Sequence, residues 1–354
     1  MLKKITYHPF FIKLFHWEYW SFNTVYAPVY IYWLWLCLKA RSFFFFNASN
    51  PSITNGGFLM ESKKEIYDLI PTEYYPKTIL IPKEISPYEM LLACRQLSYP
   101  LIAKPDIGMR GLSVQKLESE EDLIHYSHSS KVDFLVQEFI PYENELGIFY
   151  YRYPNEKKGY ISGIVAKEFL KVKGDGRSSI RALLKLDKRY VLQLQALEKM
   201  YAEELDAILK PCEEKVLVPY GSHARGARFL DAGILADDDL TKMVDEVCKQ
   251  VPGFYFGRMD IRYNTIEELK QGKNFSIIEL NGAGSEPTHM YDPKHSIFFA
   301  WKEIIRHWRI LWRISIINHK QYQVPYMNFS SGIKMFKDNS SYVKKISVVI
   351  EKRA

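Results

Sequence analysis

Two short apolar segments that each place polar residues two positions apart restrict the fold of this sequence more than any other feature. The segment GRMDIR places Arg258 and Asp260 on one face of a strand, because side chains alternate along a strand. The segment FSIIELNGAG places Glu279 and Asn281 in the same relation, with Leu280 between them. We expect the two segments to form adjacent buried strands joined by a polar hairpin.

Their carboxylates indicate a cation between the two strands. Two carboxylates that face each other in a buried place repel unless positive charge lies between them. Asp260, Glu279 and Asn281 offer the hard oxygen ligands that suit Mg²⁺ held between a protein and substrate phosphates. We predict these three residues as metal ligands, with Mn²⁺ as an alternative ion, and an ordinary surface pair is the alternative interpretation.

A lysine and a glycine-containing loop follow another predicted strand. In PLIAKPDIGMRGLSV, the strand ends near Lys104, and Gly108 and Gly111 precede Ser113. Glycines let backbone N–H groups approach phosphate oxygens closely, and a lysine adds positive charge. The pattern is not the Walker motif, and a lysine with only a structural role remains the alternative for this segment alone.

An acidic linker follows the next predicted strand in FLVQEFIPYENELGIF. It contains Gln137, Glu138, Glu143 and Glu145. A linker of this kind can present backbone groups to an adenine and a carboxylate to ribose hydroxyls. A solvated acidic hinge is the alternative interpretation.

The remaining pattern predicts the α+β class with antiparallel sheets. Residues 47–57 are rich in Asn, Ser, Pro and Gly and mark a boundary. Apolar periodicity predicts strands at 101–104, 134–137, 146–153 and 161–172, and helices at 61–69, 183–209, 238–251 and 295–317.

The first 50 residues are unusually aromatic. Residues 26–38 are uncharged and apolar, but a spanning helix needs about 20 such residues. One interpretation is a buried helix followed by a buried strand. The other is a segment at a membrane interface, with Trp and Tyr at the depth of the lipid headgroups and Lys39 and Arg41 beside it.

Charge and cysteine content limit the functional classes. The net charge of +7 suits anionic ligands or a membrane surface, whereas the absence of a basic-aromatic module disfavours nucleic acid. The four cysteines lie far apart and form no CxxC pair, which favours neither a disulfide framework nor a zinc site. We therefore expect a cytoplasmic protein, with the inner face of the membrane as its alternative location.

In this order, the segments resemble the ATP-grasp superfamily, and within it carboxylate–amine ligases such as D-alanine–D-alanine ligase and cyanophycin synthetase. Residues 171–184, KVKGDGRSSIRALL, are similar to a GDG-containing loop of those ligases. The resemblance covers about residues 61–300 and implies an ATP-grasp fold, in which two α+β subdomains clamp ATP. The implied division has an aromatic N-terminal segment at 1–60, a lid subdomain at 61–143, a catalytic subdomain at 144–320 and a C-terminal extension at 321–354.

The resemblance also implies roles around the nucleotide. Lys104 would hold the α- and β-phosphates beneath the loop from Gly108 through Gly111 to Ser113. Lys167 would be a second phosphate lysine, with Lys171 and Lys173 as alternatives. The residues around the nucleoside would be Gln137, Glu138 and Ile140 at the adenine and Glu145 at the ribose.

Further roles follow for the reacting groups. Asp260, Glu279 and Asn281 would bind Mg²⁺, and Arg258 would stabilise the charge that develops on the acyl phosphate. Arg225, with Arg228 nearby, would contact substrate or phosphate. The helix that contains Lys63 and Lys64 would supply another lysine to the nucleotide.

The implied activity is that of an ATP-dependent ligase, which converts a carboxylate into an acyl phosphate and then joins it to an amine. One alternative is a kinase of the same fold that phosphorylates a non-carboxylate acceptor. Another is a nucleotide-binding scaffold at a membrane surface. Only about 60 residues precede the predicted lid, in place of the family's full α/β domain, so the resemblance does not identify the substrate. A lipid-linked or cell-envelope substrate is one hypothesis.

Overall fold

The computed structural model describes residues 8–108, 111–218, 221, 223 and 226–351, and it combines helices with antiparallel sheets. The predicted α+β class is therefore confirmed. A large cavity lies between two of the sheets, and their strands provide much of its polar lining.

The first sheet has four antiparallel strands in the order β1-β4-β2-β3. Its core includes Ile81, Leu101 and Phe134, all fully buried. Helix α5 begins with a capping box, in which Ser86 and Glu89 satisfy each other's backbone N–H groups. The elements of this region are α4 (Lys63–Tyr67), β1 (Thr78–Ile81), α5 (Pro87–Cys94), β2 (Leu101–Pro105), β3 (Gln115–Leu117), α6 (Glu120–Ser129) and β4 (Phe134–Glu138).

The second sheet has five antiparallel strands in the order β11-β10-β5-β6-β9. One of its faces packs on helix α10, where Leu240, Val244 and Cys248 are buried. Its elements are β5 (Asn144–Tyr151), β6 (Tyr160–Glu168), β9 (Arg228–Asp231), α10 (Asp238–Lys249), β10 (Phe256–Tyr263), α11 (Ile266–Lys270) and β11 (Phe275–Asn281).

Two sequence predictions about the intervening segment are wrong in detail. The predicted strand at 161–172 is interrupted at Phe169, so that its second half pairs in a separate two-stranded sheet. The predicted helix at 183–209 is divided, because the Asp187 side chain caps a new helix and Ala202 has a φ of 32°. The elements here are β7 (Leu170–Lys173), α7 (Ile180–Leu184), α8 (Lys188–Val191), α9 (Leu194–Tyr201) and β8 (Glu214–Val218).

The aromatic N-terminal segment packs against the two C-terminal helices. Phe45 and Phe46 are fully buried with Leu311 and Ile314 of the long helix α12. The predicted strand within this segment is wrong, since residues 26–46, all of them described, contain helices and turns only. The helices are α1 (Pro9–Phe15), α2 (Phe22–Tyr26), α3 (Tyr30–Ala40), α12 (Ile297–Gln321) and α13 (Phe329–Glu351).

Helix α3 has an exposed apolar face as well as a buried one. Ile31 and Leu38 are 79% and 75% exposed, and Leu34 and Trp35 lie between them on the same face. In the part of the chain that the structure describes, none of the helices combines the length and the apolar character that crossing a bilayer requires.

Candidate functional site

A cavity of about 1230 Å³ lies between the four-stranded and the five-stranded sheet. Its polar end receives side chains from β2, β4, β5, β6, β10 and β11. The predicted site residues in its lining are Lys104, Gly108, Gly111, Gln137, Glu138, Ile140, Glu145, Lys167, Arg258, Asp260, Glu279 and Asn281.

Strands β10 and β11 hold the predicted metal ligands next to one another. In their antiparallel register Asp260 lies opposite Glu279, and Arg258 lies opposite Asn281. On the other side of β10, Gly147 of β5 lies opposite Asp260. A Cβ atom at Gly147 would meet Asp260 Oδ1 at 2.9 Å, so only glycine leaves this carboxylate its space. The predicted pair of adjacent buried strands is confirmed.

Two protein cations neutralise Asp260. Arg258 Nε donates to its Oδ1 at 2.9 Å, and Lys167 Nζ lies 3.0 Å from its Oδ2. Burial by itself raises the pKa of Asp260, but Arg258 and Lys167 outweigh burial and lower that pKa below its usual value. The sequence predicted a cation between the facing carboxylates, and Arg258 and Lys167 supply part of that positive charge. Repulsion between the carboxylates therefore does not by itself require a metal.

The remaining donors still fit a divalent cation. Glu279 and Asn281 project into the cavity beside Asp260, and Lys63 Nζ lies 3.8 Å from Glu279 Oε1. Among the described residues, no group of three or more His, Cys, Asp or Glu side chains is arranged to hold a metal. The protein would therefore contribute two carboxylates and one amide, with phosphate oxygens and water as the other ligands, as is usual for Mg²⁺.

Lys167 is a buried lysine at the centre of this charge network. Its Nζ donates to Glu145 Oε1 at 2.8 Å in addition to contacting Asp260. Burial lowers the pKa of Lys167, but the carboxylates of Asp260 and Glu145 raise it above its ordinary value. The two alternative lysines do not line the cavity, because Lys171 pairs with the exposed Glu214 and Lys173 is exposed.

Glu145 is held in place by two cations. It accepts from Lys167, and Arg262 Nε lies 3.5 Å from its Oε2. The backbone at Gly221 passes directly against this pair, since a Cβ there would lie 2.5 Å from Glu145 Oε1. The role of Glu145 at a ribose stays a prediction, and its carboxylate already has partners within the protein.

Lys104 lies on the opposite sheet, where its ammonium group has three protein acceptors. Its Nζ is 2.9 Å from Tyr67 Oη, 3.0 Å from Gln137 Oε1 and 3.1 Å from the carbonyl oxygen of Ile278. Burial lowers the pKa of Lys104 to about 8, although Glu279 and Asp106 oppose that change. A phosphate at this position would have to replace one of these acceptors.

The glycine-containing loop lies at the edge of the cavity. Lys63 Nζ donates to the carbonyl oxygen of Gly108 at 2.7 Å, and Gly111 has a φ of 70°, in the region that favours glycine. Ser113 is described but is not part of the cavity lining, and its buried hydroxyl has no hydrogen-bond partner within the described part of the chain.

The linker after β4 borders the cavity as well. Gln137 is buried, and its Nε2 donates to Thr78 Oγ1 at 2.6 Å. The carbonyl oxygen of Ile140 accepts from Arg262. Glu138 is half-buried, and its Oε1 lies 3.8 Å from Lys77 Nζ. Their assignment to an adenine stays a prediction.

Two of the basic residues named from the sequence, Arg228 and Lys64, do not line the cavity, and a third is outside the described residues. Arg225 lies outside the described residues. Arg228 pairs with Asp187 at 3.2 Å and does not line the cavity. Lys64 pairs with Asp68 on the surface, so Lys63 is the lysine of helix α4 that faces the site.

Sequence reasoning missed several residues of the site. Tyr67, fully buried, donates to the backbone of Ile278 and accepts from Lys104. Glu61 lines the cavity, one of its buried oxygens has no hydrogen-bond partner among the described residues, and burial raises its pKa. Glu286 also lines it, beside Arg258. Glu61 and Tyr67 lie within the predicted helix at 61–69, where apolar periodicity predicted the helix but not a role for these side chains, and Glu286 lies outside helices and strands.

No protein-family model matches this sequence, and no curated protein matches it. Several solved structures are similar to it in part. They include a bifunctional glutathione synthetase from Pasteurella multocida, with 12% identity and a TM-score of 0.39 over 68% of this chain and 34% of that chain. A D-alanine–D-alanine ligase from Bacillus anthracis has 12% identity and a TM-score of 0.39, over 74% of this chain and 67% of that one.

A VanG D-Ala:D-Ser ligase from Enterococcus faecalis has 14% identity and a TM-score of 0.40, over 71% of this chain and 61% of that one. The present chain thus spans about a third of the glutathione synthetase and under two thirds of the VanG ligase. Because every one of these TM-scores lies below 0.5, the likenesses alone do not establish a shared fold.

Proposed function

We propose that the protein is an ATP-dependent ligase of the ATP-grasp type, which activates a carboxylate as an acyl phosphate and joins it to an amine. The observation that supports this most is the polar end of the cavity. There, Lys104 on one sheet faces Lys167, Asp260 and Glu279 on the other, so phosphate-binding cations and oxygen donors surround one space.

The proposed reaction begins when the substrate carboxylate attacks the γ-phosphorus of ATP, which gives an acyl phosphate and ADP. Lys104 and Lys167 would hold the phosphates, and Asp260, Glu279 and Asn281 would hold Mg²⁺, which neutralises phosphate charge when bound. The amine then attacks the acyl carbon, and phosphate leaves.

Arg258 would stabilise the oxyanion of this second step. Its guanidinium group is fixed by Asp260 and by the carbonyl oxygen of Glu286, with Nη1 at 3.3 Å from the latter. A donor that is already oriented loses little free energy to reorganisation as charge develops. No side chain needs to act as a nucleophile in this scheme.

The proposed location is the cytoplasmic face of a membrane. All four cysteines are unpaired, as is usual in reducing compartments. The exposed apolar face of α3 ends beside the basic Lys39, which suits an anionic lipid surface. Under this proposal the substrate is a lipid-linked or cell-envelope molecule.

The experiment that tests the activity measures ADP and hydroxamate from MgATP, a pool of carboxylic acids and hydroxylamine as a surrogate amine. We expect both products from the wild-type protein and a loss of at least about 100-fold in Glu279→Gln, because Glu279 would hold the metal. Glu214→Gln is the matched control, since Glu214 is exposed and pairs with Lys171 away from the cavity.

ADP that depends on an acceptor but appears without hydroxamate would favour the kinase instead. Nucleotide binding with no turnover in any pool, lipid extracts included, would favour the scaffold. Full activity in Glu279→Gln would contradict the proposed site.

A further inference from the structure

Beyond the candidate reacting groups, the cavity continues along an aromatic wall. The turn after Asn281 is joined to the N-terminal segment by two backbone hydrogen bonds, from Ala283 to Gly56 and from Gly284 to Gly57. A Cβ atom on Gly57 would lie 2.7 Å from Gly282 Cα, so these two segments of the backbone are in direct contact. The aromatic wall that the N-terminal segment contributes to the cavity therefore starts beside residues 283 and 284, within three residues of the predicted metal ligand Asn281.

Helix α13 forms the facing part of this wall. The Phe336 ring lies 6.1 Å from the ring of Phe58 and 6.3 Å from that of Phe44, and all three line the cavity. Ile333 and Val343 lie on the same face of α13 and also line it. These rings touch one another and form a continuous apolar surface, and we name the part of the cavity lined by Phe44, Phe58, Ile333 and Phe336 the aromatic arm.

Two of these side chains are open to a ligand. Phe336 and Ile333 are 44% and 37% exposed, although they lie on the face of α13 that the cavity touches. Large apolar side chains that line a cavity and keep this much exposed surface are typical of binding sites.

A second wall that leads away from Arg258 is polar. The carbonyl oxygen of Glu286 accepts from Arg258, and the Glu286 carboxylate accepts from Tyr291 at 3.0 Å. The ring of His223 lies 5.3 Å from that of Tyr291, and its Nε2 lies 3.5 Å from Glu18. Glu18 is already paired with the buried Arg189, so Glu286 is the carboxylate of this second wall that favours a cationic amine over a second acid.

We propose that the aromatic arm binds the apolar body of the carboxylate substrate, so that the protein activates carboxylic acids with a long hydrocarbon chain. The acid group would lie at Arg258 and the predicted metal ligands, and its chain would lie in the cavity against the apolar wall that the N-terminal segment and α13 form together. This inference rests on the proposed ligase function for its chemistry, and on the cavity for its specificity.

The first test measures hydroxamate formation with straight-chain acids from butanoate to dodecanoate, at constant MgATP and hydroxylamine. Each methylene that enters an apolar site contributes about 0.8 kcal/mol, so we expect kcat/KM to rise about threefold to fourfold per methylene until the arm is filled. A series of acids with the same kcat/KM would overturn the proposal.

Two variants locate the effect. We expect the ratio of kcat/KM for decanoate to kcat/KM for butanoate to fall at least tenfold in Phe336→Ser and to stay unchanged in Phe298→Ser. Phe298 is a matched control because it is 71% exposed on α12 and does not line the cavity. Ile333→Trp fills the arm without removing a packed ring, so it should lower kcat/KM for decanoate at least tenfold and for butanoate less than twofold. Equal losses for both acids would count against the proposal.

A binding measurement separates failure of this inference from failure of the ligase proposal. The probe is 11-(dansylamino)undecanoic acid, whose fluorescence rises in apolar surroundings, with decanoate as the competitor. Displaceable binding that weakens in Ile333→Trp and not in Phe298→Ser supports the arm even if no hydroxamate forms with any acid. Probe binding that is the same in wild type and Ile333→Trp would overturn the arm, whatever the ligase assay shows.

Discussion

At the scale of single residues, Lys104 combines burial with a charge that a nucleotide would need. Its ammonium group is surrounded by three neutral acceptors, and the nearest carboxylates offset only part of the free energy that burial costs. The resulting pKa of about 8 lies within the range that an enzyme assay can cover. Under the proposed function, protonation of this one residue would therefore make phosphate binding depend on pH.

We predict that affinity for MgADP falls about fivefold between pH 8 and pH 9. With a pKa of about 8, the fraction of free protein that keeps the positive charge of Lys104 falls from about one half at pH 8 to about one eleventh at pH 9, and the binding-competent fraction falls with it. The measurement is the Kd of MgADP by calorimetry from pH 7 to pH 9.5. Lys104→Arg is the matched variant, since a guanidinium group stays charged throughout.

The same pKa gives a sign for stability. In the folded state Lys104 releases its proton near pH 8, whereas an unfolded lysine keeps it to about pH 10.4. Between these values the unfolded state binds more protons, so the contribution of Lys104 to the free energy of unfolding increases as pH rises. For the binding prediction, a Kd for MgADP that stays constant from pH 7 to pH 9.5 in the wild-type protein would contradict the role of Lys104 at the phosphates.

At the scale of elements, helix α3 has two apolar faces with different surroundings. Leu36 and Cys37 are buried in the aromatic cluster with α12, whereas Ile31, Leu34 and Leu38 project outwards. The helix has 11 residues, so it is suited to lie along a surface. The exposed face of α3 therefore favours the interpretation as a segment at a membrane interface, whereas its other face is buried in the fold, as the alternative interpretation predicts.

We predict that the double variant Ile31→Ser, Leu38→Ser binds at least tenfold more weakly to vesicles of phosphatidylglycerol and phosphatidylcholine. Burial of an Ile or Leu side chain contributes about 1.5–3 kcal/mol, and both side chains would be lost from the interface. Vesicle co-sedimentation measures the partition coefficient. The matched control is Ile234→Ser, Leu186→Ser, two residues that are 95% and 69% exposed elsewhere on the protein. Equal binding of both double variants would exclude α3 as the contact.

At the scale of the whole molecule, the cavity divides its polar groups between two sheets. Lys104 and Gln137 belong to the four-stranded sheet, whereas Lys167, Asp260 and Glu279 belong to the five-stranded one. A ligand that contacts both groups links the two halves of the protein. Ligand binding should therefore appear in the unfolding of the whole chain.

We predict that ATP with Mg²⁺ at 100 times Kd stabilises the folded protein by about 2.7 kcal/mol, and that EDTA removes most of this gain. Thermal unfolding followed by circular dichroism measures the shift in Tm. In Glu279→Gln the shift should no longer depend on Mg²⁺, whereas in Glu214→Gln it should. The same Mg²⁺-dependent shift in both variants would contradict the metal ligands proposed on β10 and β11.

The sequence by itself determined the α+β class and the strand pair that holds Arg258, Asp260, Glu279 and Asn281. Alternation along a strand is a local property, so residues two apart share a face wherever that strand lies. The sequence also distinguished Lys104, and its resemblance to a known family named Lys167, which lines the cavity in the structure whereas its alternatives Lys171 and Lys173 do not.

Only the tertiary structure decided which side chains from distant segments surround these residues. Lys167 neutralises Asp260 because β6 and β10 both flank β5, an arrangement that no local pattern encodes. The break of the predicted helix at Asp187 depended on a side-chain cap that competes with helical periodicity. The use of Phe44 and Phe336 as a cavity wall follows from packing between the two ends of the chain, because burial depends on contacts across the whole fold.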